Sequence, residues 1–251
     1  MLTLQIIIAI AVFLIFLWAD TIHPLFSSGM LFFLYLWGAL VFDFTTIQKV
    51  FYPIGLLFYI ACKGYPGFNL PTNATRTDVN GKEKGGVISG GKYHLFSILI
   101  GVAMLVIMFA ITSQKGQFLG VAPLAISSAG FGAWATAQFA PAISLSLGFI
   151  ENRMFISLLN ILLLPSVILS LVPFVSLFAF LAPVLVTAIA FGLFHIIAYK
   201  VAWSMIIWAS VIMGMWIMSY YMTGEDTTAM DVSHGAWNGI LTSKETLSVA
   251  F

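Results

Sequence analysis

Four polar side chains stand out: Glu151 and His195 inside long apolar runs, and His234 and Asn238 in a more polar last helix. An ionisable group at bilayer depth costs on the order of a few kcal/mol, so it is kept there by a partner or by a function. Phe191 lies four residues before His195 and shares its helical face. Asp231, His234 and Asn238 step by three and four residues and form one polar stripe. Three kinds of chemistry use such a set. A carboxylate removed from water is a stronger base. Two imidazoles and one carboxylate make a catalytic zinc set with an open position. A carboxylate and an imidazole on neighbouring spans also suit a proton relay in a transporter. The plainer reading of each residue is an interhelical hydrogen bond. Glu151 and Arg153 are two residues apart, on different helix faces, so they do not pair well. Asp231 by itself fits a solvated acid in a first helical turn.

These residues need helices to carry them. Of 251 residues, 61% are hydrophobic and 8% charged, with a net charge of +1; a soluble domain carries roughly 25% charge. A soluble enzyme, a disordered tail protein and a nucleic-acid binder are excluded together. The apolar runs are continuous, unlike the short alternating segments of a membrane β-barrel. The expected fold class is all-α, a polytopic helical membrane protein forming one integral domain over 1–251. Spans are expected at 4–19, 29–44, 93–111, 118–137, 141–164, 173–199 and 201–222. A shorter stretch at 50–62 and a more polar last helix bring the range to seven to nine membrane segments. Pro141 suits a helix first turn, Pro165 and Pro173 bracket a turn, and Pro183 should kink or split its run. The last helix is expected to start near Asp226 or Thr227, either of which can cap it, and to end before Ser243. The single cysteine, Cys62, forms no internal disulfide.

The 63–92 segment is the one long hydrophilic loop. Lys63, Arg76, Lys82, Lys84 and Lys92 are five of the ten basic residues and face only Asp78 and Glu83. The positive-inside rule puts this loop in the cytoplasm. Five crossings then put 223–230, with Glu225 and Asp226, on the other side. Two motifs in the loop are false leads. The run from Gly86 to Lys92 nearly spells a phosphate-binding loop, but Tyr93 stands where Ser or Thr should hold magnesium. Asn73-Ala-Thr75 is a glycosylation sequon on the wrong side of the membrane.

Glu151-Asn-Arg, Phe191-Gly-Leu-Phe-His195 and His234-Gly-Ala-Trp-Asn238 resemble, in order and rough separation, the three motifs of the CAAX protease and bacteriocin-processing family. These are intramembrane glutamic endopeptidases, related to the type II CAAX prenyl endopeptidases. The resemblance covers the motif-bearing region 141–238. The Phe-x-x-x-His and His-x-x-x-Asn motifs match fully. In the first motif, Asn152 stands at the second Glu, and the Arg is Arg153, with Ile156 at the family's Arg position. The resemblance implies that Glu151 and His195 activate a water, that His234 and Asn238 stabilise the tetrahedral oxyanion, and that Phe191 packs behind His195. Asn152, Arg153 and Asp231 are supporting candidates.

The expected function is therefore an intramembrane endopeptidase acting on membrane-associated peptides or lipidated proteins. It is expected to work in contact with membrane lipid and without a cofactor; zinc held by Glu151, His195 and His234 is the alternative. A proteolytically silent scaffold of the same fold and a proton-coupled transporter are the competing functions; the inverted repeats common in transporters are not visible. Single cysteines introduced into the 63–92 and 223–230 segments, with Cys62 replaced, should react with an impermeant thiol reagent from opposite sides of the membrane. Labelling from one side would change the number of crossings by one.

Overall fold

The computed structural model describes residues 2–22, 24–42, 44–63, 76–77, 83–84, 91–114, 131–169, 176–199, 203–222 and 227–249. They form helices α1 (Leu2–Ile22), α2 (Pro24–Val41), α3 (Thr46–Lys63), α4 (Gly91–Gln114), α5 (Phe131–Leu169), α6 (Ser176–Tyr199), α7 (Met205–Met222) and α8 (Thr228–Val249). The only other regular structure among them is an antiparallel pairing of β1 (Arg76–Thr77) with β2 (Glu83–Lys84). The fold is all-helical, as expected. A helix satisfies its backbone polar groups internally, which suits a chain that offers so few polar side chains to do so.

Helix α5 is the axis. Every residue from Ala140 to Arg153 is buried, because α1, α2, α3, α6 and α8 all pack against it. It separates two apolar clusters. Phe16, Leu31, Tyr35 and Tyr52 gather around Phe149 and Ile150 on one side. Phe191, Met213, Trp216 and Trp237 gather with Phe155 and Leu159 on the other. Helix α4 covers α8, and α7 pairs with α6. Polarity runs opposite to that of a soluble protein. Gln5, Ser97, Ser144, Glu151, Arg153 and Asp231 are buried, whereas Phe33, Leu40, Leu57, Leu185, Ile207 and Met222 are exposed. Apolar exposure on this scale marks a surface made for a non-aqueous neighbour.

Three described stretches, Ala137–Leu163, Leu181–Tyr199 and Met205–Met222, are long and apolar enough to cross a membrane. That is fewer than the seven to nine expected. The difference is one of length: Thr3–Ala19, Leu25–Leu40, Thr46–Ala61 and Phe96–Ala110 are apolar helices of 10–17 described residues.

Several expected boundaries are corrected. The 118–137 and 141–164 spans were expected as separate helices; residues 131 onward instead belong to one helix of 39 residues. At 1.5 Å per residue it is about 58 Å long, roughly twice a hydrocarbon core. Pro141 is thus inside a helix, not in its first turn. The missing N–H deprives the Ala137 carbonyl of its helical partner. Gln5 of α1 repairs this by donating from Nε2 to the Ala137 oxygen at 3.0 Å. Pro165 also lies within α5, and α6 runs unbroken through Pro183. The last helix begins after Thr227, whose carbonyl accepts the Asp231 N–H at 2.9 Å. It continues past Ser243 to Val249, so residues 228–230, expected in a loop, are helical. The loop from 64 to 75, the sequon at 73–75, the 86–90 part of the phosphate-loop lookalike, the 118–130 part of the expected span and residues 223–226 lie outside the described residues.

The Gln5–Pro141 arrangement predicts a double-mutant cycle. Gln5→Leu leaves a buried carbonyl without its donor and should cost about 1–3 kcal/mol. Pro141→Ala restores the N–H, so Gln5→Leu in that background should cost clearly less. Thermal unfolding of the detergent-solubilised variants measures the coupling.

Candidate functional site

The site lies where α5, α6 and α8 meet. Helix α5 supplies Glu151, Asn152 and Arg153 on consecutive positions, all fully buried. Helix α6 supplies Phe191, His195 and Tyr199, spaced by four so that they share one face. Helix α8 supplies Asp231, His234 and Asn238. The close approach of α5 and α8 depends on Gly148. A Cβ there would lie 2.9 Å from Asn238 Nδ2 and 3.4 Å from the His234 ring.

The two oxygens of Glu151 have separate surroundings. Oε1 accepts the Tyr52 hydroxyl at 2.7 Å and also the Tyr199 hydroxyl. The two phenol groups also contact each other. Oε2 is buried and has no hydrogen-bond partner among the described residues. It faces His234 Nε2 at 3.4 Å and His195 Nε2 at 3.9 Å. The Glu151, His195 and His234 ligand atoms lie within 4.8 Å of one another.

Both imidazoles are held from behind. His195 Nδ1 lies 2.9 Å from the Phe191 carbonyl oxygen, one helical turn back. A carbonyl only accepts, so Nδ1 carries the proton. Phe191 packs on the same imidazole, with ring centroids 4.3 Å apart. His234 Nδ1 lies 2.7 Å from Asn152 Oδ1. The Trp216 indole stacks on the His234 ring at 4.5 Å. The two histidine rings are 6.4 Å apart. Beside them is a cavity of about 20 Å³, lined in part by His195, Tyr199, Trp216, His234 and Asn238. That is room for a water molecule.

The supporting candidates form a second layer. Arg153 Nη1 lies 3.0 Å from each Asp231 carboxylate oxygen, and both side chains are fully buried. The guanidinium also sits 4.6 Å over the Phe16 ring. Asn152 Nδ2 donates to Asp231 Oδ1 at 2.8 Å. Asp231 is therefore no solvated first-turn acid, and Arg153 pairs with it across two helices. Asn238 lies one turn beyond His234 on its stripe, where its Nδ2 donates to the Ser144 carbonyl at 3.5 Å.

All eight residues singled out in the sequence are thus accounted for, in two connected layers. Sequence reasoning missed the two tyrosines. Tyr199 follows His195 by four residues, so the spacing that linked Phe191 to His195 could have found it. Tyr52 comes from α3, 99 residues before Glu151; no local pattern marks it. Comparison with family models, curated proteins and solved structures returns no match for this chain.

Chemically, a carboxylate oxygen faces two Nε2 atoms, and that of His195 carries no proton when the ring is neutral, because Nδ1 does. Such a group is completed by a partner for its lone pairs, either a water that donates a hydrogen bond or a cation that accepts them. The anchoring of Oε1 is testable without knowing which. Tyr52→Phe and Tyr199→Phe each remove one donor to a buried carboxylate and should each cost about 1.5–3 kcal/mol. Because they share one acceptor, the double variant should depart from additivity by at least about 0.5 kcal/mol in thermal unfolding.

Proposed function

We propose that this chain is an intramembrane endopeptidase, of the kind its three motifs resemble, that cleaves peptide bonds in membrane-associated or lipidated substrates. The observation that carries the proposal is Glu151 Oε2, buried and facing two imidazole Nε2 atoms from two other helices. The apolar outer surface and the three long apolar helices support a membrane setting. In the same reading the four shorter apolar helices are also membrane segments, and the basic 63–92 segment faces the cytoplasm.

In this mechanism a water donates to Glu151 Oε2 while His195 helps orient it. Glu151 takes one proton as the oxygen attacks the scissile carbonyl carbon. The carbonyl π electrons move onto oxygen. Asn238 Nδ2 and His234 stabilise that oxyanion, the proton on His234 Nε2 being the one Glu151 took from water, passed across 3.4 Å from Oε2 and returned to Glu151 as the intermediate collapses. Collapse of the intermediate breaks the C–N bond, and the proton held by Glu151 passes to the departing nitrogen. The products are a carboxylic acid and an amine. Fixing Oε1 by two hydroxyls leaves one oxygen to do proton transfer, and its position is set before substrate arrives.

A second reading is supported by the same geometry. Glu151, His195 and His234 are a recognised zinc ligand set, and their ligand atoms are close enough together to share one ion. Zinc there would polarise the carbonyl and lower the pKa of a bound water, with Glu151 as a ligand rather than the base.

The deciding experiment exposes purified protein in detergent or nanodiscs to a peptide library. Glu151→Gln should keep the fold and lose turnover. His195→Ala should be nearly as severe. Asn238→Ala removes one oxyanion donor and should retain a measurable rate, about 10²–10³-fold below wild type. Chelators should have little effect. Full activity in Glu151→Gln would end the glutamic-protease reading, and chelator inhibition reversed by zinc would replace it with the metal reading.

A further inference from the structure

The first motif of this chain has an amide, Asn152, where the family it resembles has a second carboxylate. The structure brings a carboxylate against that amide from another helix. Asp231 of α8 contacts both Arg153 and Asn152 of α5. We propose that Asp231 is a positioning residue that acts through Asn152 to fix the proton of His234 on Nδ1, so that Nε2 presents a lone pair beside Glu151. This rests on the endopeptidase reading for its purpose, but not for its geometry.

Each step follows from what the groups can donate or accept. A carboxylate accepts only. Arg153 Nη1 lies 3.0 Å from both of its oxygens, which keeps Asp231 ionised at a fully buried position. The Asn152 group facing Asp231 Oδ1 at 2.8 Å must then be the NH₂ end of its amide. Its other end, the Oδ1 acceptor, lies 2.7 Å from His234 Nδ1. That nitrogen must donate. A neutral imidazole has one ring proton, so Nε2 has none. Asn152, Asp231 and His234 are all buried.

The consequence falls on Glu151. With the opposite tautomer, His234 Nε2–H would point at Oε2 across 3.4 Å and satisfy the oxygen that the mechanism needs for water. The relay prevents this. His195 reaches the same state by a simpler route, through the Phe191 carbonyl. The relay also makes a lone Asn152→Glu substitution unfavourable, because it sets a second carboxylate against Asp231.

The test reads the tautomer directly, by ¹⁵N NMR of histidine-labelled full-length protein in detergent without substrate. His234→Gln assigns the signal. Wild type should show His234 neutral, with the proton on Nδ1. In Asp231→Asn, Arg153 holds the new amide by its oxygen, and the new NH₂ turns Asn152 end for end. His234 Nδ1 then accepts, and the proton should move predominantly to Nε2. That variant leaves Arg153 without its carboxylate and can fail to fold. The exchange Asn152→Asp with Asp231→Asn keeps charge and shape, and should return the proton to Nδ1. A wild-type signal with the proton on Nε2, an unchanged tautomer in folded Asp231→Asn, or an Nε2 proton in the exchange variant would each overturn the proposal. A kinetic arm separates it from the parent reading. If wild type cleaves peptide, Asp231→Asn should lower kcat by about 10–100-fold with KM little changed, and the exchange should recover most of it. An equal loss in both variants would overturn the relay. If wild type cleaves nothing, the endopeptidase reading fails while the NMR result stands.

Discussion

The buried pair of Arg153 and Asp231 is the contact on which the arrangement of the site depends. Two fully buried charges tie α5 to α8, and breaking such a pair from one side costs about 3–5 kcal/mol. Its effect is positional as much as energetic. Arg153 is two residues from Glu151, and Asp231 is three from His234. Locking the pair sets both the depth and the rotation of one helix against the other. Once that register is set, Asn152 and His234 are within hydrogen-bond reach, and Glu151 Oε2 faces the imidazole edge. Gly148 and the face of α8 that carries Asn238 complete the same contact line, one turn away.

Around that line the molecule places its polar groups inside and its apolar groups outside. This is the opposite of what water selects, and it has a cost inside the bundle, where every buried polar atom needs a partner. Several polar contacts between the helices answer that need. Gln5 serves the carbonyl that Pro141 leaves without an N–H. Tyr52 and Tyr199 serve Glu151 Oε1. Phe191 and Asn152 serve the two Nδ1 atoms. Glu151 Oε2 is one of several buried side-chain atoms without a hydrogen bond among the described residues, but it faces two imidazole Nε2 atoms from two other helices, and that convergence marks a place for a reacting water or an ion rather than a structural network.

Much of the site was legible in the sequence because an ionisable residue in an apolar helix, or a polar stripe at helical spacing, is conspicuous. Glu151, His195, His234 and Asn238 needed no structure to be noticed. Phe191 followed from the 3.6-residue period, which is local information. The all-helical class and the apolar segments were equally local, since continuous apolar runs are legible by composition alone.

What only the tertiary structure decided is partnership. The choice of Asp231 over Glu151 as the partner of Arg153 joins residues 78 positions apart, and the entry of Tyr52 joins residues 99 apart. Helical periodicity says which residues share a face, but it does not say which face of which other helix they meet. The same limit explains Pro141. From sequence, a proline ends or begins a helix because its missing N–H and its ring disturb the turn before it. Inside this bundle a glutamine from α1 supplies the lost hydrogen bond, and the helix runs on. Composition and spacing determined that polar groups would meet in an apolar setting; the packing of α5 against α1, α3, α6 and α8 decided which of them touch, because hydrogen-bond partners are chosen by distances of a few ångströms that only the assembled helices define.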